Sequence, residues 1–286
     1  MAKAPQDLND VEAFPEHRWL GAFEEAGFSP RQSKIALIIL NTPIDISQTS
    51  NFLNIWNRSS LRICADGGAN RLFAFSNSLK ENGSISEELV PDYIKGDLDS
   101  IQHCVKAHYE SFGSCKVLHD SNQNSTDLGK CLELVEEFCP AGQTLIIHGG
   151  LTGRLDQTIH TLHTLLMLQS DPPASVEGYK FPKPRGETWV VDTDARSMAC
   201  ALRPQVKHCL SVPKSRKQEC LTCGILPIGV AAAVVTTRGL RWNLTNTEVS
   251  MMGLLSTSNQ VLEDTEIVEI ITNQPVIWTM EIPICS

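Results

Sequence analysis

The chain has 286 residues, 42% hydrophobic, 20% charged and 6% aromatic, with a net charge of −9. This composition suits a soluble globular protein of two domains of about 100–150 residues each. The acid excess argues against a nucleic-acid partner, which selects a basic face, and no apolar run approaches the roughly 18–20 residues of a membrane span. The opening residues MAKAPQDLNDVEAF lack the apolar core of a secretory signal. The ten cysteines are therefore expected to be reduced thiols of a cytoplasmic protein, most of them buried.

Residues 1–33 are polar and carry Pro5, Pro15 and Pro30; they read as a peripheral extension with one short helix over 19–26. The apolar run over 34–40, ending at Asn41, has the two-sided hydrophobicity of a buried parallel strand. Phe52, Ile55 and Trp56 follow at helical spacing. A strand over 61–65 runs into Asp66, and a helix starts at Asn70. Tyr93 and Ile94 lead into Gly96 and Asp97. A helix over 104–112 and a strand over 115–119 come next. Leu128, Cys131, Leu132, Val135 and Phe138 form an amphipathic helix, with Thr126 or Ser125 as its cap. A strand over 144–148 ends in Gly149-Gly150, and a helix covers 156–169. This alternation predicts an α/β domain with a largely parallel sheet over 34–198.

The proline-rich stretch 171–187 reads as a loop insertion, and 189–192 as the last strand of that domain. Helical periodicity then stops. Short β-type runs over 223–228, 232–236, 254–257, 265–271 and 276–282, separated by turns, predict an antiparallel β-sandwich over 199–286.

Four turn-like segments carry the chemistry: CADGGANR (64–71), IKGDLDS (94–100), NQNSTDLGK (122–130) and HGGLTGRLDQ (148–157). Carboxylates bind Mg²⁺, and bare backbone N–H groups approach phosphate closely. Each segment alone reads as a turn. Together, at the carboxyl ends of parallel strands, they point to a nucleotide–metal site. Asp97 and Asp99, two residues apart, would face one cation on an extended backbone. Lys130 shares a helical face with Asp127, and the Arg154–Asp156 pair follows a Gly-rich loop where a guanidinium can grip phosphate. The single C-x-x-C, Cys220 and Cys223, lacks a complete second cluster and reads as loop thiols rather than zinc ligands. His119, His148, His160 and His163 read as surface or core residues.

The ordered set ADGGANRL, GDLDS, TDLGK, GGLTGRLDQ, TTRGLRWNLTN (236–246) and LLSTSN (254–259) resembles eukaryotic-type thiamine pyrophosphokinases from about residue 35 to the end. The resemblance implies an α/β domain that binds ATP–Mg²⁺ and a β-sandwich from the partner subunit that completes a thiamine pocket in a homodimer. It assigns metal binding to Asp97, Asp99 and Asp127, with Asp66 in the matching acid–Gly turn. ATP contacts fall on Gln123, Thr126, Lys130, Arg154 and Asp156. Trp242 matches the aromatic that packs on thiamine, and Ser256 and Ser258 are equivalent candidates for its polar contact. The expected reaction gives thiamine diphosphate and AMP, with Lys130 and Arg154 on the phosphates and Asp66 or Asp127 as the group that accepts the hydroxyl proton. A Mg²⁺-dependent nucleotide hydrolase and a non-catalytic thiamine- or nucleotide-binding regulator are the alternatives. Outside the resemblance, Trp242 reads equally as a buried sandwich tryptophan. Gly129 departs from the pattern, where a hydroxyl residue is common, and is expected to loosen the helix start.

Overall fold

In the computed structural model, which describes residues 14–19, 35–169, 182–193, 196–212 and 220–282, the chain divides into two units between residues 195 and 196. The sequence expectation set that division at 198–199. The described residues 14–19, including strand β1 (Glu16–Trp19), belong to the second unit.

The first unit runs β2 (Ile35–Ile39), α1 (Thr49–Arg58), β3 (Ser59–Ala65), α2 (Gly68–Glu81), β4 (Tyr93–Gly96), α3 (His103–Ser111), β5 (Lys116–His119), α4 (Asp127–Phe138), β6 (Thr144–His148), α5 (Leu155–Leu168) and β7 (Thr188–Val191). Its strands lie in the order β7-β6-β2-β3-β4-β5, and every pairing is parallel. All five residues of β2 are buried. Both of its faces and both of its edges are covered, which explains the unbroken apolar run. The chain moves outward from β2 to β5, then returns to pair β6 on the other side of β2. The strand order therefore reverses between β2 and β6.

Of the proline-rich insertion, residues 170–181 lie outside the described residues. In its described part the buried Arg185 donates to the carbonyls of Pro140 and Gln143 at 3.0 and 3.2 Å, tying the approach to β7 onto the exit of α4.

The second unit is built from β8 (Ser197–Leu202), β9 (Lys207–Ser211), β10 (Thr222–Leu226), β11 (Ala233–Arg238), β12 (Thr247–Val249), β13 (Ser256–Gln260), β14 (Ile267–Thr272) and β15 (Val276–Glu281). One sheet runs β1-β9-β14-β11-β12 and the other group of strands β13-β10-β15-β8. All pairings are antiparallel except β1 with β9.

That exception corrects the reading of the N-terminal segment as peripheral. β1 adds an edge strand to the second unit, and Lys207 Nζ lies 3.2 Å from Glu16 Oε2 across the register. Trp19, expected to start a helix, ends this strand instead; residues 20–26 lie outside the described residues. Its indole is fully buried and donates to His208 Nδ1 at 2.9 Å, while His208 Nε2 meets the Arg203 carbonyl at 2.9 Å. Burial holds the His208 imidazole neutral, with its pKa lowered to about 4. The four-residue strand escaped sequence reading because Glu-His-Arg-Trp supplies one apolar residue, too few to show a period.

Replacing Trp19 by Ala is expected to cost about 3–5 kcal/mol, the scale of an emptied aromatic site in a core. Urea unfolding of the full chain measures it. A loss below about 1 kcal/mol would mean that β1 is not integral to the second unit.

Candidate active site

Because every strand of the first unit is parallel, their carboxyl ends share one edge. There β2 continues as Leu40-Asn41-Thr42, β3 as Asp66, β4 as Asp97 and β6 as Gly149-Gly150. A cleft of about 420 Å³ opens at this edge, where the strand order reverses. Asn41, Thr42 and Asp97 line it from the strand ends, Thr126, Asp127 and Lys130 from α4, and Arg154, Gln157 and His160 from α5 and the residue before it. Thr42 Oγ1 is buried with no hydrogen-bond partner among the described residues, an orphan hydroxyl at the cleft wall.

Asp66, Asp97 and Asp127 each offer a carboxylate oxygen within 4.8 Å of the others, the one such acid, His or Cys grouping among the described residues. The approach depends on Gly96. A Cβ added there would lie 2.6 Å from Asp66 Cβ and 3.0 Å from Asp127 Oδ1. Asp66 adopts a left-handed φ of +42° as the chain leaves β3, and its carboxylate accepts the Ser100 and Ile101 N–H groups at 3.0 and 3.1 Å. Asp127 opens α4, where the helix dipole favours negative charge.

Asp99 is not brought into this group. Its Oδ1 accepts from Ser100 Oγ at 2.8 Å. The expected convergence of residues two apart assumes extended backbone, and Leu98 between them takes φ +62°. The acid in the matching Gly turn, Asp66, stands in that position instead.

The charges in the group are frustrated. Desolvation, followed by the neighbouring Asp127, raises the Asp66 carboxyl above its ordinary range despite its backbone hydrogen bonds. Desolvation likewise raises Asp127, with Asp97 adding to it and Lys130 opposing it. For Asp97, desolvation is outweighed by hydrogen bonds from the Asp99 N–H and Gln123 and by the Lys130 charge, and its carboxyl is lowered. The buried Lys130 ammonium lies 3.3 Å from Asp127 Oδ1. Three carboxylates against one ammonium leave an excess of negative charge that a hard divalent cation would offset.

The remaining expected contacts are distributed as follows. Gln123 Nε2 donates to Asp97 Oδ2 at 3.4 Å. Thr126 caps α4, as its sequence position suggested, accepting the Gly129 N–H at 3.2 Å. That N–H belongs to the third residue of the helix, so Gly129 takes part in the cap. Arg154 is held by Asp156 through two hydrogen bonds of 3.1 and 2.6 Å, both side chains exposed. Trp242, Ser256 and Ser258 belong to the second unit. Trp242 is 55% exposed, which sets aside its reading as a buried sandwich residue. The buried Asn259 fixes its backbone, accepting the Trp242 N–H at 3.2 Å and donating to its carbonyl at 2.8 Å. The Arg241 guanidinium lies over the indole, 5.0 Å from the ring centroid. Ser256 opens β13, and Ser258 is exposed with φ +56°.

Sequence reasoning missed Gly96 as a spacing device, and Asn41, Thr42 and His160 as cleft residues. Asn41 directly follows the apolar run over 34–40, so its strand-end position was legible. His160, expected to be a surface or core residue, lines the cleft and meets Thr126 Oγ1 at 2.9 Å; helical spacing carried no sign of this. His148 is buried, its pKa lowered to about 4 by desolvation. Cys223 is a buried thiol whose pKa is raised to about 12 by desolvation.

A sequence family described as "Thiamin pyrophosphokinase, catalytic domain" matches residues 52–175, and one described as "Thiamin pyrophosphokinase, vitamin B1 binding domain" matches residues 207–277. "Thiamine pyrophosphokinase 3" of Oryza sativa subsp. japonica is 34% identical over 235 residues, covering 80% of this chain and 81% of its own. The Saccharomyces cerevisiae thiamine pyrophosphokinase is 29% identical over 272 residues, covering 80% and 79%. Among solved structures, the Candida albicans thiamin pyrophosphokinase matches with a TM-score of 0.72 at 21% identity, covering 94% of this chain and 93% of that one, a likeness of fold. The yeast thiamin pyrophosphokinase matches with a TM-score of 0.70 at 25% identity, covering 89% and 88%.

The raised carboxyls of Asp66 and Asp127 fix the sign of a pH effect. In metal-free protein their contribution to stability is full below the unfolded-state value and is lost as pH rises through the folded-state value. A cation needs them ionised. The rise in Tm caused by Mg²⁺ should therefore be larger at about pH 8 than at about pH 5. Thermal denaturation with and without Mg²⁺ checks this; an increment that is equal at both, or larger in acid, would remove these carboxylates from cation binding.

Proposed function

The chain belongs to the thiamin pyrophosphokinase family, and on that premise we propose that it transfers the terminal diphosphate of ATP to the hydroxyl of thiamine, giving thiamine diphosphate and AMP. The observation that carries the residue-level reading is the convergence of Asp66, Asp97 and Asp127 beside buried Lys130, at a cleft on the carboxyl edge of a parallel sheet.

The donor set suits magnesium: hard oxygen ligands, crowded negative charge and a helix-borne carboxylate. Asp66, Asp97 and Asp127 would hold it, and Asp99 would act through the turn it shapes. When bound, Mg²⁺ supplies positive charge against the phosphate oxygens. Lys130 adds a fixed positive charge from the floor of the cleft. Arg154 grips phosphate through its planar guanidinium, and Asp156 holds that guanidinium in orientation until ATP competes for it. Gln123 steadies Asp97, and Thr126 presents the first turn of α4. The thiamine oxygen attacks the β-phosphorus in line while AMP leaves, so the protein's work is positioning and electrostatics. We assign the hydroxyl proton to Asp127, which lines the cleft, rather than to Asp66, whose carboxylate already accepts two backbone N–H groups.

We assign thiamine to Trp242, with Ser256 or Ser258 as its polar contact. An exposed, backbone-locked indole supports this, since large exposed aromatics fixed in place serve as binding platforms. The same reading makes the catalytic unit a homodimer whose thiamine pocket uses both subunits. Buried cysteines such as Cys64, Cys131 and Cys223, placed as thiols, support a reducing, cytoplasmic setting, and among the described residues no helix is long and apolar enough to cross a membrane.

Incubation with ATP, Mg²⁺ and thiamine should yield AMP and thiamine diphosphate in equal amounts. AMP alone would point to a hydrolase, and neither product to a binding regulator.

The shared pocket has its own test. Asp97→Asn and Trp242→Ala should each be inactive, but mixing them under subunit exchange should restore part of the activity, because one of the two sites then carries neither lesion. No recovery, with exchange confirmed by mass, would confine the site to one chain.

A further inference from the structure

The turn that delivers Asp66 also carries Asn70 and Arg71, and the reaction leaves both without a role. Their contacts are specific. Residues 97–102 join β4 to α3 and bear Asp97 at their start. Three consecutive N–H groups of this connection are taken by two side chains of the 66–71 turn. Ser100 and Ile101 donate to Asp66 at 3.0 and 3.1 Å. Gln102 donates to Asn70 Oδ1 at 2.9 Å, and Asn70 Nδ2 donates back to the Ser100 carbonyl at 2.9 Å. Arg71 Nε reaches the end of β2, donating to Asn41 Oδ1 at 2.8 Å. Asn41 in turn lies over Gly67, where an added Cβ would run into its amide. One turn of chain thus ties together the ends of β2, β3 and β4.

We propose that Asn70 is a positioning residue for the cation group, holding the 97–102 connection so that Asp97 stays within reach of Asp66 and Asp127. This rests on the reading that those three carboxylates bind a divalent cation. Asp66 has two tasks that compete. Its oxygens anchor two backbone N–H groups, and one of them also faces the other carboxylates. A cation draws electron density from that oxygen and weakens its hold on the connection. Asn70 bonds the same stretch through a neutral amide that faces no cation, so the connection stays anchored when Asp66 is recruited. Leu98, at φ +62°, leaves Asp97 without the support of a regular strand, which makes an external anchor necessary.

Loss of a hydrogen bond that orients a ligand group typically weakens metal affinity about 10–100-fold. Asn70→Ala should therefore bind Mn²⁺ at least about tenfold more weakly than the parent, followed by electron paramagnetic resonance with Mn²⁺ alone. It should also need correspondingly more Mg²⁺ for half-maximal activity, with kcat largely restored at saturating Mg²⁺ and the KM for thiamine unchanged. A merely structural role would lower Tm and kcat without moving the Mg²⁺ requirement. Gln102→Pro gives a second handle if Asn70→Ala does not fold. Gln102 sits at φ −70°, which proline accepts, and the change deletes the N–H that Asn70 receives, together with the 3.8 Å contact of the Gln102 side chain with Cys104 Sγ. It should shift Mn²⁺ affinity in the same direction by a smaller factor. Equal Mn²⁺ affinity in parent and Asn70→Ala overturns the role of Asn70 and leaves the cation site standing. Absence of saturable Mn²⁺ binding by the parent overturns the cation reading and this inference with it.

Discussion

The structure of the site depends on one costly arrangement: three carboxylates held within 4.8 Å of one another at the edge of a sheet. Like charges repel, and burial raises the cost by withdrawing water. The fold holds them there because the carboxyl ends of parallel strands must share an edge, and three consecutive β-to-α crossovers each leave an acid at that edge. Gly96 removes the one atom that would keep Asp66 and Asp127 apart. The residual strain appears as raised carboxyls on Asp66 and Asp127, which under the proposed function a dication would relieve.

The same constraint accounts for the surroundings of the acids. Lys130 is buried, which a lone ammonium would not tolerate, and its partner is one of the crowded acids. The Thr126 cap fixes the first turn of α4, and with it both Asp127 and Lys130. By contrast Arg154 and Asp156 are exposed and paired with each other. Such a pair contributes little to stability, and under the proposed function it exchanges partners when a polyphosphate arrives. The site therefore combines a rigid charged floor with an exposed basic side chain free to change partners.

Under the proposed function the second unit serves recognition by different means. Its strands create a buried framework from which Asn259 reaches out to hold the backbone of Trp242 while the indole stays in solvent. Keeping a large apolar ring exposed forgoes its burial energy, a loss consistent with binding a ligand ring. The β1 strand completes an edge of one sheet, and Trp19 makes that attachment part of the core.

Period and run length in the sequence marked the five α-helices of the first unit and most of its strands, because each buried face repeats at a short interval that one chain segment carries by itself. Four acid–Gly segments stood out as chemical because they recur together where strands give way to helices, although each alone reads as a turn. Ser197–Leu202, Lys207–Ser211 and Thr247–Val249 went unread as strands, as did Glu16–Trp19, since short antiparallel or edge strands owe their state to partners distant in the chain. The sequence reading placed the cation on Asp97, Asp99 and Asp127, whereas the acids that meet are Asp66, Asp97 and Asp127. That choice turned on a single left-handed residue, Leu98, and on the absent side chain of Gly96. The first is a feature of backbone path, and the second matters only through the acids brought against Gly96; local residue pattern encodes neither, and tertiary packing fixes both.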